Sequence, residues 1–193
     1  TSNELQLILN NTKIFKLLVV RHPFQRLVSS YKKYFVLLDL NCFIRIRQLV
    51  IFEKEYLHLI KGIMIILKII PTFKEFLEWL LQSSEEDVHW IQYYKHCAIC
   101  NIRYNFVLKL DDYTYGQINY IFSKFGLDKN KVYFPKLEET RGGYTNFDTT
   151  CKYFANLTQD IVLKLYEKYK IDFEMYNYNV NQYIKYVFCS SQV

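Results

Sequence analysis

Glycine and proline are scarce in this sequence, which has only five glycines and three prolines among 193 residues. That scarcity excludes collagen-like and loop-dominated architectures, which depend on these two residues. No apolar run is long enough to span a bilayer, because the longest, residues 57–70, is short and carries Lys61 and Lys68. Basic residues never form a run of five, so we expect no nucleic-acid partner. The phosphate-binding signature G-x-x-x-x-G-K-[ST] is also absent.

The composition that remains is that of a folded globular chain. Hydrophobic residues make up 51% and charged residues 23%, a balance that excludes intrinsic disorder and coiled coil. A chain of this length buries about 70% of the surface that it exposes when unfolded, so we expect residues 1–193 to form a single domain. The 25 Lys and Arg residues exceed the 19 Asp and Glu residues, and the net charge of +6 favours anionic partners such as phosphates or acidic glycans.

Apolar runs alternate with helical periodicity along the chain. Residues 13–20 predict a buried strand, and Pro23 suits the first turn of the helix that follows. A second strand is predicted at residues 104–110. A helix is predicted at 73–81, where Thr72 and Glu75 form a capping box. Further helices are predicted at 115–125, at 157–169 and, with interruptions, at 43–70. Residues 126–150 predict a loop. This alternation indicates an α/β fold in which a parallel sheet is flanked by helices.

The junction between the first strand and the first helix is the most informative segment. It places Arg21 at the edge of the sheet where open α/β folds bind ligands. The helix that follows offers unpaired N–H groups and the positive end of its dipole, both of which suit a phosphate. Ser29 lies two turns into that helix, where its hydroxyl can supplement the bidentate guanidinium of Arg21. Taken alone, such a junction is also typical of a structural cap.

The same segment, R-H-P-F-x-R-L-V-S-x-Y after an apolar strand, closely resembles the 3′-phosphate-binding segment of Golgi carbohydrate sulfotransferases. It is most similar to the group that contains chondroitin and dermatan 4-O-sulfotransferases and the HNK-1 sulfotransferase. Two further blocks match in order: residues 87–106 resemble the family's D-x-H-W…C-x-x-C…Y-D-F pattern, and residues 157–178 resemble its closing helix. The resemblance implies that Arg21 and Ser29 bind the 3′-phosphate of the sulfate donor, 3′-phosphoadenosine 5′-phosphosulfate, with His22 and Arg26 in support.

The resemblance also implies a function and a compartment. It implies a P-loop-like sulfotransferase fold that transfers sulfate to a hydroxyl of a glycan, either a glycosaminoglycan or a glycoprotein glycan. It implies an enzyme of the Golgi lumen that needs no metal and that, in full length, is a type II membrane protein. Family members carry an upstream Lys-containing loop that cradles the 5′-phosphosulfate. Neither that loop nor an anchor occurs here, so we expect a fold that is incomplete at the N-terminus.

Two other functions stay open. A catalytically inactive relative that binds acidic glycan or a partner protein would preserve the same segments without the chemistry. A nucleotide kinase would resemble the fold but requires the Lys-bearing phosphate loop, which the sequence lacks.

Sulfate transfer requires a base near the acceptor hydroxyl and positive charge near the leaving nucleotide. His89 is the candidate base, since histidine is the side chain whose ordinary pKa lies nearest to neutral pH. The alternative is that His89 and Trp90 form a packing corner. Arg141 precedes two glycines in a polar loop, and a late basic loop with glycine closes over the nucleotide in sulfotransferases generally. For Arg141 the alternative is a surface turn.

The five cysteines cannot all pair within one chain, because their number is odd. The pair Cys97-x-x-Cys100 admits a zinc site, a redox motif or disulfides. Disulfides, with Cys151 or Cys189 as partners, suit the oxidising lumen that the resemblance implies. Asn156 opens one of two N-glycosylation triplets, which favour the same compartment.

Overall fold

The computed structural model describes residues 11–36, 71–128 and 145–190, together with Leu9. In chain order the elements are β1 (Leu17–Val20), α1 (Pro23–Tyr31), a π-helical turn (Lys32–Val36), α2 (Phe73–Gln82), α3 (Tyr93–His96), β2 (Phe106–Lys109), α4 (Tyr115–Lys124), α5 (Phe147–Phe154), α6 (Gln159–Met175) and α7 (Asn181–Ser190). The chain divides into two compact units, a strand unit (Thr1–His22 with Ile91–Leu137) and a helical unit (Pro23–Trp90 with Glu138–Val193).

The strand unit is built on β1 and β2, which pair in parallel with Val19 opposite Leu108. Side chains alternate along a strand, so Val20 is fully buried whereas its neighbour Val19 is exposed. Leu108 of β2 is fully buried as well, and three residues of α4 belong to the same apolar cluster: Ile118, Ile121 and Phe122. A helix thus covers the buried face of a parallel pair, as the sequence predicts.

Helix α4 has both ends fixed by its own sequence. Thr114 Oγ1 accepts a hydrogen bond from the Gln117 backbone N–H, and the Gln117 side chain accepts one from the Thr114 N–H, which makes a capping box. The helix ends before Gly126, whose φ of +65° is in the left-handed region that glycine adopts without strain. The predicted end of this helix is confirmed.

The core of the helical unit is a cluster of aromatic rings around Phe24 of α1. Phe24 has no exposed surface. Its ring stacks on that of Phe154 with centroids 4.6 Å apart, and it meets Phe173 and Tyr183 edge-on at 5.1 Å and 5.3 Å. These three partners come from α5, α6 and α7, so one side chain of α1 joins four helices.

Helix α2 begins where the sequence predicts. Thr72 Oγ1 accepts from the Glu75 backbone N–H, and the Glu75 carboxylate accepts from the Thr72 N–H at 2.7 Å. One residue earlier, the Pro71 carbonyl accepts a hydrogen bond from Tyr31 Oη at 2.8 Å. Burial raises the pKa of Tyr31 to about 12, so its hydroxyl keeps the proton that this bond needs. The start of α2 is therefore tied to the end of α1.

The predicted α/β fold with a parallel sheet and helices is confirmed. Both strands are shorter than predicted, and α3 and α7 had no predicted counterpart. The predicted loop at residues 126–150 is wrong at its end, because Asn146 caps a helix that begins at Phe147. The helical prediction for residues 43–70 lies outside the described residues. None of the helices within 11–36, 71–128 and 145–190 is long and apolar enough to cross a membrane.

Candidate functional site

Five of the six predicted site residues lie in the described ranges: Arg21, His22, Arg26, Ser29 and His89. The first two follow β1 in the strand unit, and the other three belong to the helical unit. The sixth, Arg141, is outside the described residues.

In the strand unit, two side chains hold the backbone just after β1. The Arg21 N–H donates to Tyr93 Oη at 3.1 Å, and the His22 N–H donates to Asp111 Oδ1 at 3.0 Å. Both bonds use backbone groups, so they fix the path of the chain at the point where the Arg21 side chain leaves it. The sequence prediction missed Tyr93 and Asp111. A signal was present for Asp111, which follows the second strand and therefore lies at the same sheet edge as Arg21.

In the helical unit, α1 holds the turn that carries His89. Arg26 Nη2 donates to the Val88 carbonyl at 2.6 Å. The Ser30 hydroxyl lies 2.8 Å from two carbonyls, that of Arg26 and that of His89. Ser29, the predicted phosphate ligand, is partly exposed on the same helix. The segment that resembles a phosphate-binding motif thus also positions the candidate base.

His89 is surrounded by three polar side chains. Its Nδ1 lies 2.6 Å from Asp87 Oδ1 and 2.5 Å from Tyr34 Oη, and the same Asp87 oxygen accepts the His89 backbone N–H at 2.9 Å. On the other side of the ring, Nε2 lies 3.4 Å from Lys33 Nζ. The His89 side chain is 31% exposed, so a ligand can reach it. This arrangement can accept a proton next to a positive charge.

Trp90, the next residue, belongs to the core. It is 5% exposed, and its ring lies edge-on to those of Phe76 at 5.8 Å and Trp79 at 5.7 Å. The Trp90 carbonyl accepts a hydrogen bond from Tyr169 Oη at 2.5 Å, and burial raises the pKa of Tyr169 above its ordinary value. The packing corner is therefore formed by Trp90, and it holds His89 at the edge of that core.

Among the described cysteines, Cys97, Cys100 and Cys151 are not joined to one another by a disulfide. The side chain of Cys189 is outside the described part of the chain, so the expected pairing stays a prediction. Burial raises the pKa of Cys151 to about 11, which keeps this thiol protonated and unreactive at neutral pH. Within the described ranges, no group of three or more His, Cys, Asp or Glu residues is placed so that it could hold a metal ion.

Comparison with known proteins bears on all of these residues. Residues 1–179 match the model of the sulfotransferase family. Carbohydrate sulfotransferase 11 of Mus musculus is 29% identical over 180 residues, which are 88% of this chain and 48% of that protein. Carbohydrate sulfotransferase 9 of Homo sapiens is 28% identical over 84% of this chain and 37% of its own length, and carbohydrate sulfotransferase 10 of Rattus norvegicus is 28% identical over 85% and 47%.

The chain spans about half the length, or less, of these curated relatives. No solved structure matches it. The family match nevertheless extends over β1, α1 and the turn with His89, and onward through α6. Because that match covers most of the sequence, this chain belongs to the sulfotransferase family.

Proposed function

We propose that the protein is a carbohydrate sulfotransferase that transfers sulfate from 3′-phosphoadenosine 5′-phosphosulfate to a hydroxyl of a glycan. The observation that carries the proposal is the partly exposed His89, which has Asp87 at one ring nitrogen and Lys33 at the other, within a region that matches the sulfotransferase family. Attack by a sugar hydroxyl on an anionic donor requires both a proton acceptor and positive charge.

Arg21 and Ser29 are the proposed ligands of the donor's 3′-phosphate. Arg21 supplies a permanent charge with bidentate donors, and Ser29 supplies a neutral donor. His22 supports this segment through its backbone bond, and Arg26 supports it by holding the turn that contains His89. Arg141 is the proposed residue that closes over the nucleotide.

In the proposed reaction the acceptor hydroxyl attacks the sulfur in line with the bridging oxygen. A bond forms between the sugar oxygen and sulfur while the bond between sulfur and the 5′-phosphate oxygen breaks. The electron pair of the broken bond leaves with 3′-phosphoadenosine 5′-phosphate. The hydroxyl proton passes to Nε2 of His89 and later to solvent. Lys33 supplies positive charge beside the reacting oxygens.

The names of the relatives and the charge of the chain support the proposed acceptor, and the family resemblance supports the proposed compartment. The relatives are named carbohydrate sulfotransferases, and the net charge of +6 suits an acidic glycan. We propose a glycosaminoglycan or a glycoprotein glycan as acceptor and the Golgi lumen as compartment, with a membrane anchor in the full-length protein. Asn156 is exposed in the turn between α5 and α6, where a luminal protein can carry a glycan.

Calorimetric titration with 3′-phosphoadenosine 5′-phosphate tests the donor site. We expect the wild-type chain to bind and Arg21→Ala to lose about 30-fold or more in affinity, because a charge-assisted bidentate contact is worth about 2 kcal/mol or more. Arg103→Ala, which removes an exposed arginine of the same unit, is the matched control and should bind like the wild type.

Two results of that titration contradict the assignment. A well-folded wild-type chain that fails to bind the nucleotide removes the enzyme proposal and favours the inactive relative that binds acidic glycan. Equal losses of nucleotide affinity in Arg21→Ala and Arg103→Ala mean that the nucleotide responds to surface charge in general rather than to a specific site at Arg21.

A further inference from the structure

We propose that Asp87 and Tyr34 are positioning residues that hold His89 in the tautomer with its proton on Nδ1, so that Nε2 is the atom that accepts the proton of the acceptor hydroxyl. The inference deepens the proposed function and rests on it. It assigns roles to Tyr34 and to Asp87, the first residue of the D-x-H-W block, and it states which ring nitrogen reacts.

The partners of Nδ1 indicate which nitrogen of the neutral ring carries the proton, because the Tyr34 hydroxyl at 2.5 Å can accept from Nδ1 as the carboxylate does. An ionised carboxylate can only accept hydrogen bonds, so the 2.6 Å contact between Asp87 Oδ1 and His89 Nδ1 requires a proton on Nδ1. The same oxygen accepts the His89 backbone N–H at 2.9 Å. One carboxylate therefore fixes both the backbone and the ring of His89, which leaves the ring little freedom to rotate.

Tyr34 limits a second movement of the His89 ring, its tilt, in addition to the rotation that Asp87 limits. Its aromatic ring meets the imidazole edge-on, with centroids 4.8 Å apart and planes at 89°. Its hydroxyl is 2.5 Å from Nδ1 and 3.2 Å from Nε2, so it lies along one edge of the imidazole. Tyr34 is itself 8% exposed and packs against Trp90 at 5.7 Å, which anchors the contact in the core.

Nε2 is the ring nitrogen with the longer contacts, to Tyr34 Oη at 3.2 Å and to Lys33 Nζ at 3.4 Å. The Lys33 side chain is exposed, so an incoming hydroxyl can replace its contact. Lys33 and Tyr34 both lie in the π-helical turn that follows α1. Such turns are rare and frequently occur at functional sites. The turn brings a cation and a hydroxyl to the same histidine.

The arrangement has a chemical consequence in the transfer step. As the bond between sugar oxygen and sulfur forms and the bond between sulfur and the 5′-phosphate oxygen breaks, the hydroxyl proton moves to Nε2 and His89 becomes an imidazolium. The Asp87 carboxylate at Nδ1 then stabilises a full positive charge, as the aspartate of a catalytic triad does. Asp87→Asn keeps the size of the side chain, and its amide nitrogen can donate to Nδ1. That bond favours the proton on Nε2, which then has no lone pair to accept the hydroxyl proton.

Nitrogen-15 spectra of the histidine rings in the full-length protein test the assignment directly. We expect the wild-type His89 ring to carry its proton on Nδ1, and Asp87→Asn to move it wholly or partly to Nε2. The resonance is identified by its absence in His89→Gln. Asp160→Asn, which alters an exposed carboxylate of the helical unit, is the matched control and should leave the tautomer unchanged.

Transfer kinetics supply the second readout. We expect Asp87→Asn to lower kcat by about 100-fold or more with little change in KM, and Asp87→Glu, which keeps the carboxylate, to recover part of the loss. A wild-type proton on Nε2, a tautomer that Asp87→Asn leaves unchanged, or a changed tautomer with unchanged kcat each overturns the proposal. Nucleotide binding is expected to be intact in Asp87→Asn, so failure of the donor site and failure of this inference give different results.

Discussion

Replacing His89 with glutamine is expected to lower kcat for sulfate transfer by about 100- to 10,000-fold, the range that general acid–base catalysis contributes. The amide of glutamine can still bond to Asp87, so the turn keeps its contacts, but it cannot accept the proton of the attacking hydroxyl. The rate is measured with labelled donor and the full-length protein at saturating nucleotide. Affinity for 3′-phosphoadenosine 5′-phosphate should stay close to that of the wild type, because His89 is not among the proposed ligands of the 3′-phosphate.

The control for this variant is His96→Gln, which changes an exposed histidine of α3. It should transfer sulfate at the wild-type rate. If His89→Gln keeps more than about a tenth of the wild-type kcat, His89 is not the base, since general-base catalysis contributes about 100-fold or more. The turn would then serve only to pack Trp90.

Phe24→Ala is expected to destabilise the fold by about 3–5 kcal/mol, the usual cost of removing a fully buried aromatic ring. The ring contacts three others, those of Phe154, Phe173 and Tyr183, so its loss leaves a cavity that several helices would have to close. For a chain of this size the change corresponds to a fall of roughly 6–20 °C in Tm. Thermal unfolding followed by circular dichroism measures it.

A matched substitution outside the core distinguishes the stability lost because a ring was buried from the stability lost when any aromatic ring is removed. Phe125→Ala removes an aromatic side chain that is 48% exposed, and its cost should be well below that of Phe24→Ala. Phe24→Leu keeps most of the volume and should fall between the two. Equal effects of Phe24→Ala and Phe125→Ala would contradict the assignment of Phe24 as the centre of the helical core.

Local sequence signals predict the helix ends that carry a capping residue or a terminating glycine. Thr72 with Glu75 and Gly126 each act through their own backbone neighbours, so the start of α2 and the end of α4 follow from a few consecutive residues. The start of α5 was missed, although Asn146 is a favourable cap, because the polar residues before it predict a loop. The extent of β1 and β2 was overestimated, since apolar character continues beyond the residues that pair.

The sequence indicates the candidate site residues that belong to a motif, but it does not indicate those that meet only in the folded chain. Arg21, Ser29 and His89 stand out from the sequence because they occur in recognisable patterns. Tyr34 and His89 are separated by 55 positions, and their contact depends on the packing of α1 and its π-helical turn against the turn at residues 87–90. No local periodicity specifies that contact, so it appears only in three dimensions.

The turn at residues 87–90 contributes Trp90 to the core and His89 to the candidate site. Trp90 is held in the core by neighbouring rings and by the hydroxyl of Tyr169, and α1 holds the carbonyls of Val88 and His89. These contacts leave the His89 ring partly exposed while its backbone is fixed. If His89 is the base, as proposed, an orientation that is set in advance reduces the entropy lost when the substrate binds, which raises the rate.

Transfer of labelled sulfate from 3′-phosphoadenosine 5′-phosphosulfate by the full-length protein tests the central claim most directly. The acceptors are desulfated chondroitin, desulfated dermatan and a glycoprotein glycan, each offered separately. The account predicts label on at least one of these glycans, dependent on the donor and lost in His89→Gln. A folded wild-type protein that binds the nucleotide but labels none of the glycans would contradict it.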